Sequence, residues 1–391
     1  MKNHQILFSR RDFLKHFGKG LTGAALTAAL AQIPSWVMAQ TIDDPPLRTR
    51  AARKGILFGA EAMQSELIAD HEFATHFINE CGILVPGNEL KWHMLRPTSS
   101  GFNFQPADWL ASFAQNANLQ LRGHTLIWGD SLPAWFMNTV KDNNAASYLK
   151  DHIAAVAGRY AGQVHSWDVV NEPIMPWDGR SDGLRNSVWL KTLGPNYIDM
   201  AFEAAAAADP EALLVLNQNF LEYDAPKWTG FRTKTLQLLE RLKSSNVPIH
   251  ALGIQAHLRS DYGEFNQESF RNFLHEVANM GLMIMITELD VYDANLPLET
   301  GLRDSLVAGQ YEEFLSVALN EPAVNTVITW GLSDKYTWYT DNGARADNSP
   351  VRPLPLDDGF NRKLAWKAMA DVFDNKPPVK IKAPRDFHFK D

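Results

Sequence analysis

Cysteine is nearly absent from this sequence. Cys81 is the only one in 391 residues, so no internal disulfide can form, and it lies too far inside the chain to be a lipidated N-terminus. Long apolar runs are also missing, because no segment reaches the roughly 20 residues needed to cross a bilayer. The stability of the fold must therefore come from packing, and we expect no membrane-spanning segment.

Basic residues are also fewer than acidic ones. The chain has 37 Lys and Arg against 45 Asp and Glu, and five of the basic residues and one acidic residue fall within residues 1–39. Residues 40–391 therefore carry 32 basic and 44 acidic side chains, a formal charge of −12. Such a surface repels nucleic acid and anionic lipid. A neutral partner such as a polysaccharide or oligosaccharide fits better, and we expect the protein to be a monomer.

The N-terminus has the order of an export signal. Paired arginines, Arg10 and Arg11, precede an alanine-rich apolar stretch from Leu21 to Ala31, and Ala39 ends the expected cleavage site. The segment resembles a twin-arginine signal, and an ordinary secretory signal that happens to carry paired arginines is the alternative. Either interpretation predicts a signal over 1–39, a single domain over 40–391 and a periplasmic or secreted location.

Apolar runs alternate with amphipathic stretches along the remaining chain, which is typical of repeated βα units. Eight strands are predicted: Ile56 to Ala60, Ile83 to Val85, Leu119 to His124, Val164 to Val170, Leu213 to Leu216, Ala251 to His257, Met283 to Glu288 and Thr326 to Trp330. Helices are predicted between them, for example at Ala146 to Tyr160, Tyr197 to Ala208 and Lys234 to Ser244. Eight units predict a single (β/α)8 TIM barrel, with a long loop from Gly343 to Asp358.

Three short segments match the residue pattern of a known functional motif but lack the structural context that the motif requires. The glycine pattern at residues 18–23 lies inside the export signal with no strand before it. Gly179 to Gly183 matches a nucleophile elbow, yet prolines precede it where a strand is required. His71 and His76 are five residues apart and diverge around a helix. We therefore expect no nucleotide, serine nucleophile, metal or cofactor site.

Two acidic motifs are the most informative feature of the chain. Glu172 in the run Trp167 to Pro173, and Glu288 in Ile286 to Val291, each follow a strand rich in β-branched residues. The carboxyl ends of barrel strands form one face, so both carboxyl groups can project into one cleft. Two facing carboxyl groups are the arrangement that cleavage of a glycosidic bond requires.

Taken together, the strand ends resemble glycoside hydrolase family 10, the retaining β-1,4-xylanases. Six blocks carry the resemblance, in family order: Asn88 to Trp92, Arg122 to Trp128, Trp167 to Pro173, Gly253 to Leu258, Thr287 to Val291 and Trp330 to Asp334. The resemblance implies a (β/α)8 barrel, with Glu172 as the acid/base after strand four and Glu288 as the nucleophile after strand seven.

Other residues are assigned supporting roles. Gln255 and His257, and likewise Glu288 and Asp290, are two apart on a strand, so each pair should face one side. Asp290 can then orient His257, which can hold Glu288. Asn171 resembles the family residue that hydrogen-bonds the sugar 2-hydroxyl. The remaining candidates for substrate binding are Asn88, Lys91, His124, Trp128, Trp330 and Trp338.

The chain departs from the family pattern mainly at substrate-binding positions. Gly87 replaces a glutamate, Gly129 a histidine and Ser131 a glutamine, and Asn219 lies where an aromatic residue is common. We expect each change to remove a contact to sugars outside the cleaved unit. Three hypotheses follow: an endo-β-1,4-xylanase, a retaining β-glycosidase with exo-action or another β-linked substrate, and a barrel that only binds sugar.

Overall fold

The computed structural model describes residues 44–375. Both the predicted export signal at 1–39 and the tail after residue 375 lie outside this range. Within it, the strands are β1 Leu57–Ala62, β2 Ile83–Pro86, β3 Gln120–Gly123, β4 Ile127–Trp128, β5 Val164–Asn171, β6 Leu213–Gln218, β7 Ala251–Ile254, β8 His257–Arg259, β9 Met283–Tyr292 and β10 Val324–Thr329.

Eight of these strands close into a parallel barrel. Their order is β1, β2, β3, β5, β6, β7, β9, β10, and β10 pairs with both β9 and β1. The two-residue strand β4 pairs with the end of β5, and β8 pairs with the end of β9. The predicted (β/α)8 barrel is confirmed, and each of the eight predicted strands overlaps one barrel strand.

Helices fill the connections between the strands. They are α1 Leu47–Ala52, α2 Gln64–Ala69, α3 His71–Glu80, α4 Trp92–Leu95, α5 Gln105–Asn116, α6 Phe136–Thr139, α7 Ala145–Arg159, α8 Val188–Leu193, α9 Tyr197–Ala208, α10 Thr229–Ser244, α11 Gln267–Asn279, α12 Thr300–Ala318, α13 Tyr339–Asn342 and α14 Leu364–Asn375. None of the helices in residues 44–375 is both long and apolar enough to cross a membrane.

The core has two layers because successive strand residues point to opposite sides. Phe58 of β1 faces outward and meets the ring of Phe373 of α14 edge-on, with 5.9 Å between ring centroids. Inside the barrel, Ile83, Val85 and Ile328 form one small apolar cluster. Packed side chains therefore fill the barrel interior, and a buried ion pair between Arg122 of β3 and Asp168 of β5 lies among them.

One predicted strand is interrupted. The sequence predicts a continuous strand from Ala251 to His257, whereas β7 ends at Ile254 and β8 begins at His257. Ala256 between them is left-handed, with φ of 63°, and its N–H donates to the buried carboxyl of Glu222 at 2.7 Å. Periodicity did not predict this break, because it depends on a contact to a residue 34 positions away.

The loop from 343 to 358 has the irregular structure that its composition predicts. Within it, Leu356 forms isolated bridges with Ser333 and Arg362 and no longer strand is present. Two carbonyl oxygens of this loop accept hydrogen bonds from Lys363: its Nζ donates to Arg352 O at 2.7 Å and to Leu354 O at 3.0 Å.

Candidate active site

The two predicted catalytic glutamates lie at the carboxyl-terminal rim of the barrel. Glu288 is inside β9 and only 5% exposed. Glu172 follows the last residue of β5 and has a left-handed backbone, with φ of 52°. Its N–H donates to Asn217 O at 2.7 Å. That bond to the end of β6 fixes the turn, so the side chain leaves the strand direction and enters the cleft.

Glu288 is held as a carboxylate by two donors. Asn217 Nδ2 donates to Oε1 at 2.7 Å, and His257 Nε2 lies 3.2 Å from Oε2. Burial alone would raise the pKa of Glu288, but the hydrogen bond from His257, the charges of His124 and His257 and the bond from Asn217 lower it below its ordinary value. A buried carboxylate kept ionised in this way is suited to nucleophilic attack.

His257 connects Glu288 to a second buried acid. Its Nδ1 lies 3.0 Å from Asp290 Oδ1. Burial alone would lower the pKa of His257, but the charge of Asp290 and hydrogen bonds to Asp290 and Glu288 raise it well above the ordinary value. Asp290 is itself fixed by Trp338 Nε1 at 2.8 Å and by Tyr339 Oη at 2.9 Å. The imidazolium therefore has a fixed orientation between two carboxylates.

Glu172 has a different set of partners. Gln255 Nε2 donates to Oε1 at 3.0 Å, while Trp128 Nε1 and Arg185 Nη2 donate to Oε2 at 3.2 and 2.7 Å. Arg185 also donates from Nε to the backbone oxygen of Glu172 at 2.9 Å. Oε2 thus forms an ion pair with Arg185 in the free protein.

A chain of amides links the two carboxyl groups. Asn171 Oδ1 accepts from Asn217 Nδ2 at 2.9 Å and from Gln255 Nε2 at 3.3 Å. Asn217 reaches Glu288, and Gln255 reaches Glu172. Thr287 completes the set by donating to Asn217 Oδ1 at 2.7 Å. The four residues predicted around the catalytic pair, Asn171, Gln255, His257 and Asp290, therefore converge on it despite the break at Ala256.

The predicted substrate-binding side chains surround this centre. Lys91 Nζ donates to Asn88 Oδ1 at 3.1 Å and lies 5.6 and 5.9 Å from the rings of Trp128 and Trp330. Burial lowers the pKa of Lys91, which the charges of Glu288, Glu61 and Glu172 oppose. These groups share the rim with the two glutamates.

His124 and the two other tryptophan candidates also lie at this rim. His124 is buried, and its Nδ1 lies 3.0 Å from Asp168 Oδ2; its ring meets that of Trp330 edge-on with 5.2 Å between centroids. Trp338 lies with its ring centroid 5.3 Å from that of His257 and is 38% exposed. An exposed indole fixed by Asp290 leaves one face for an apolar sugar surface.

Three residues at the site were not among the predicted ones: Asn217, Arg185 and Glu61. Asn217 lies two residues before Asn219, and its three carboxamide hydrogen bonds, with Asn171, Glu288 and Thr287, depend on strands far apart in the chain. Arg185 belongs to a loop of no recognisable motif. A Cβ at Gly129 would meet Ser187 Cβ at 3.0 Å and Arg185 Cδ at 3.5 Å. A glycine at residue 129 therefore avoids a tight contact with Ser187 and leaves Arg185 at an ordinary contact distance.

The site contains no arrangement suited to a bound metal. Within residues 44–375, no group of three or more His, Cys, Asp or Glu side chains is placed to hold an ion. The polar groups at the rim are instead paired with one another as donors and acceptors.

The chain resembles proteins of known type over most of its length. Its residues 46–372 match the model of the family described as glycosyl hydrolase family 10. It is 31% identical over 338 residues to endo-1,4-beta-xylanase B of Thermotoga neapolitana, covering 85% of this chain and 93% of that protein. It is 35% identical over 295 residues to a beta-1,4-xylanase of Dictyoglomus thermophilum, covering 72% and 79%.

Solved structures agree with the sequence relatives. Xylanase 10B from Thermotoga maritima superposes with a TM-score of 0.76 at 31% identity, covering 85% of this chain and 98% of that one. Xylanase 10B from Thermotoga petrophila RKU-1, solved in complex with xylobiose, gives a TM-score of 0.77 at 30% identity, covering 86% and 99%. On the fold, the family match and these relatives together, the chain belongs to glycosyl hydrolase family 10 and is a glycoside hydrolase.

Proposed function

We propose that this glycoside hydrolase cleaves internal β-1,4 bonds of xylan or xylo-oligosaccharides with retention of configuration. The observation that carries the proposal is the asymmetric environment of the two carboxyl groups. Glu288 is buried with its pKa lowered by His257 and Asn217, while Glu172 faces the cleft beside Trp128 and Arg185. The relatives that support the substrate are named as xylanases.

In the first step, Glu288 attacks the anomeric carbon and forms a covalent ester, while Glu172 donates its proton to the departing oxygen. The C–O bond to the leaving sugar breaks, and its electron pair takes that proton. In the second step Glu172, now a carboxylate, removes a proton from water, and the water oxygen displaces Glu288. Two inversions give net retention.

The amides between the two glutamates have a role that changes during the reaction. Asn171 lies next to Glu172 and within the amide chain that ends on Glu288, so it is placed to contact the 2-hydroxyl of the attacked sugar. That contact strengthens as charge develops on the ring. His257, held by Asp290, keeps Glu288 ionised before attack and stabilises it as it leaves the ester.

The test is product mapping by the purified protein on a panel of β-1,4-xylan, decorated xylan, β-glucan and xylo-oligosaccharides. Internal cleavage should release a ladder of short oligosaccharides from xylan, and early products examined by NMR should carry the β configuration. Release of single sugars from chain ends would favour the exo-acting alternative. Initial products of α configuration would exclude the double-displacement mechanism. An absence of turnover on every substrate would favour the third hypothesis, a barrel that binds sugar without cleaving it.

We also propose that the protein acts as an exported monomer. The order of residues 1–39 supports an export signal of the twin-arginine type, with residues 40–391 as the catalytic domain. Replacing Arg10 and Arg11 together by lysine should leave the full-length precursor inside the cell, as judged by fractionation and by mass. Export that continued unchanged would favour the ordinary secretory signal.

A further inference from the structure

Glu61 is a buried acid at the rim of the barrel that the mechanism above does not use. It lies near the carboxyl end of β1, four residues after Leu57, which packs against the apolar cluster inside the barrel. Strand residues separated by an even number share a face. Glu61 therefore points to the inside of the barrel at the end that carries the cleft.

The carboxyl of Glu61 is unusual because it has no bonding partner within the described part of the chain. The residue is 8% exposed, yet neither oxygen has a hydrogen bond or an ion pair within 4 Å among residues 44–375. Burial raises its pKa well above the ordinary value, and the charge of Glu66 adds to this while that of Lys91 opposes it. A neutral carboxyl both donates and accepts hydrogen bonds, as a sugar hydroxyl requires.

Neither oxygen of Glu61 is among the fully buried polar atoms without a partner in residues 44–375, so both remain accessible to a ligand in the cleft. Glu66 and Glu89 nearby are satisfied: Glu66 Oε2 accepts from Met63 N at 3.0 Å, and Glu89 accepts from Gln64 N at 2.7 Å and Asn88 N at 3.1 Å. Glu61 alone of these three acids keeps both oxygens available, which is the pattern expected of a group whose partner is a ligand.

The Glu61 carboxyl group can lie beside Asn88 because residue 87 is a glycine. A Cβ at residue 87 would overlap Glu61 Oε1 and would lie 3.1 Å from Met63 Cγ. The space beside Asn88 that a side chain at residue 87 would occupy is thus taken by a carboxyl from the neighbouring strand. The carboxyl group that is absent at Gly87 therefore has a replacement from β1.

Resting on the xylanase activity proposed above, we propose that Glu61 is a specificity-determining residue that hydrogen-bonds hydroxyl groups of the second sugar on the nucleophile side of the cleaved bond. The side follows from the barrel order, because only β10 separates β1 from β9, which carries Glu288, whereas β2 and β3 separate β1 from β5, which precedes Glu172. The second sugar follows because no hydrogen bond joins Glu61 to Glu288 or to its partners Asn217 and His257, so Glu61 lies beyond the sugar that Glu288 attacks. Three acids at this place favour a neutral sugar over a uronic acid.

The test compares aryl β-xyloside, aryl β-xylobioside and aryl β-xylotrioside, which present one, two and three sugars on that side. E61A should leave kcat/KM on the xyloside within about two-fold and lower it on the xylobioside and xylotrioside by about 10-fold, the loss expected for one buried hydrogen bond. E61Q, which keeps a donor and an acceptor at nearly the same volume, should lose less. Thermal unfolding of each variant reports whether it is folded.

The decisive variant moves the carboxyl back to the adjacent strand. G87E alone should damage the protein because it overlaps Glu61, whereas the double variant E61A/G87E has the space and should recover a large part of the xylobioside activity lost in E61A. Equal losses on one and two sugars, or a folded double variant no better than E61A, would overturn the proposal. Failure of the wild-type protein on all three substrates would instead count against the xylanase activity itself.

Discussion

His257 lies between two carboxylates, with Nε2 3.2 Å from Glu288 Oε2 and Nδ1 3.0 Å from Asp290 Oδ1. Both ring nitrogens therefore face acceptors, in keeping with the raised pKa of this histidine and the lowered pKa of Glu288. The charge on His257 is part of what keeps the proposed nucleophile ionised in a buried site.

Replacing His257 by glutamine should move the acid limb of the pH profile. Activity of the free protein is lost as the pH falls through the pKa of Glu288, because a protonated nucleophile cannot attack. Without the imidazolium that pKa rises, so the acid limb of kcat/KM should shift to higher pH by about 1 to 2 units. Trp338→Phe removes a donor to Asp290 but keeps His257, so it should leave the acid limb in place. An unmoved limb in H257Q would contradict the assignment.

Replacing Glu288 by alanine should abolish turnover on every substrate. The side chain supplies the bond-forming oxygen, and no neighbouring group in the amide chain can replace it. We expect the residual rate to be independent of how good the leaving group is. The measurement is initial-rate kinetics on xylan and on a dinitrophenyl β-xylobioside. Substantial activity on either substrate would place the nucleophile elsewhere.

Replacing Glu172 by alanine should have an effect that depends on the leaving group. Xylan needs protonation of the departing oxygen, so its rate should fall by about 10²- to 10⁴-fold. A dinitrophenyl substrate needs little protonation, so formation of the ester should persist and its hydrolysis should limit the rate. Added azide should then restore turnover and yield a β-glycosyl azide. Equal losses on both substrates without azide rescue would contradict the acid/base role.

Replacing Arg122 by methionine should destabilise the fold. Arg122 of β3 pairs with Asp168 of β5 inside the barrel, and both side chains are about 1% exposed. Removing one partner leaves a buried charge, so the free energy of unfolding should fall by about 3 to 5 kcal/mol in urea titrations. Lys367→Met removes an exposed pair with Asp371 and should cost less than about 1 kcal/mol. Similar losses in the two variants would contradict this account.

The barrel could be predicted from the sequence because its evidence is local. Each strand is a short apolar run between amphipathic helices, and α9 agrees with its predicted bounds, Tyr197 to Ala208. The placement of Glu172 and Glu288 at one face followed from the same pattern, because parallel strands bring their carboxyl ends together. The predicted strand end at Glu288 was wrong, since β9 continues to Tyr292.

The sequence could not predict contacts that join strands far apart in the chain. Asn217 bonds to Glu288 across 71 residues, and Arg185 occupies the space beside Gly129, so neither has a signal in its own neighbourhood. Gly87 looked like the loss of a carboxyl group, while the structure places Glu61 of β1 in that space.

The amino-acid order by itself determined the strands, the helices and the two acidic motifs, because hydrophobic periodicity and turn residues act over a few positions. Only the tertiary structure decided which amide and which cation serve each glutamate, and which strand supplies the acid beside Asn88. Closing the barrel brings β1 next to β10 and β5 next to β6, and the distances between side chains at the rim exist only after that closure.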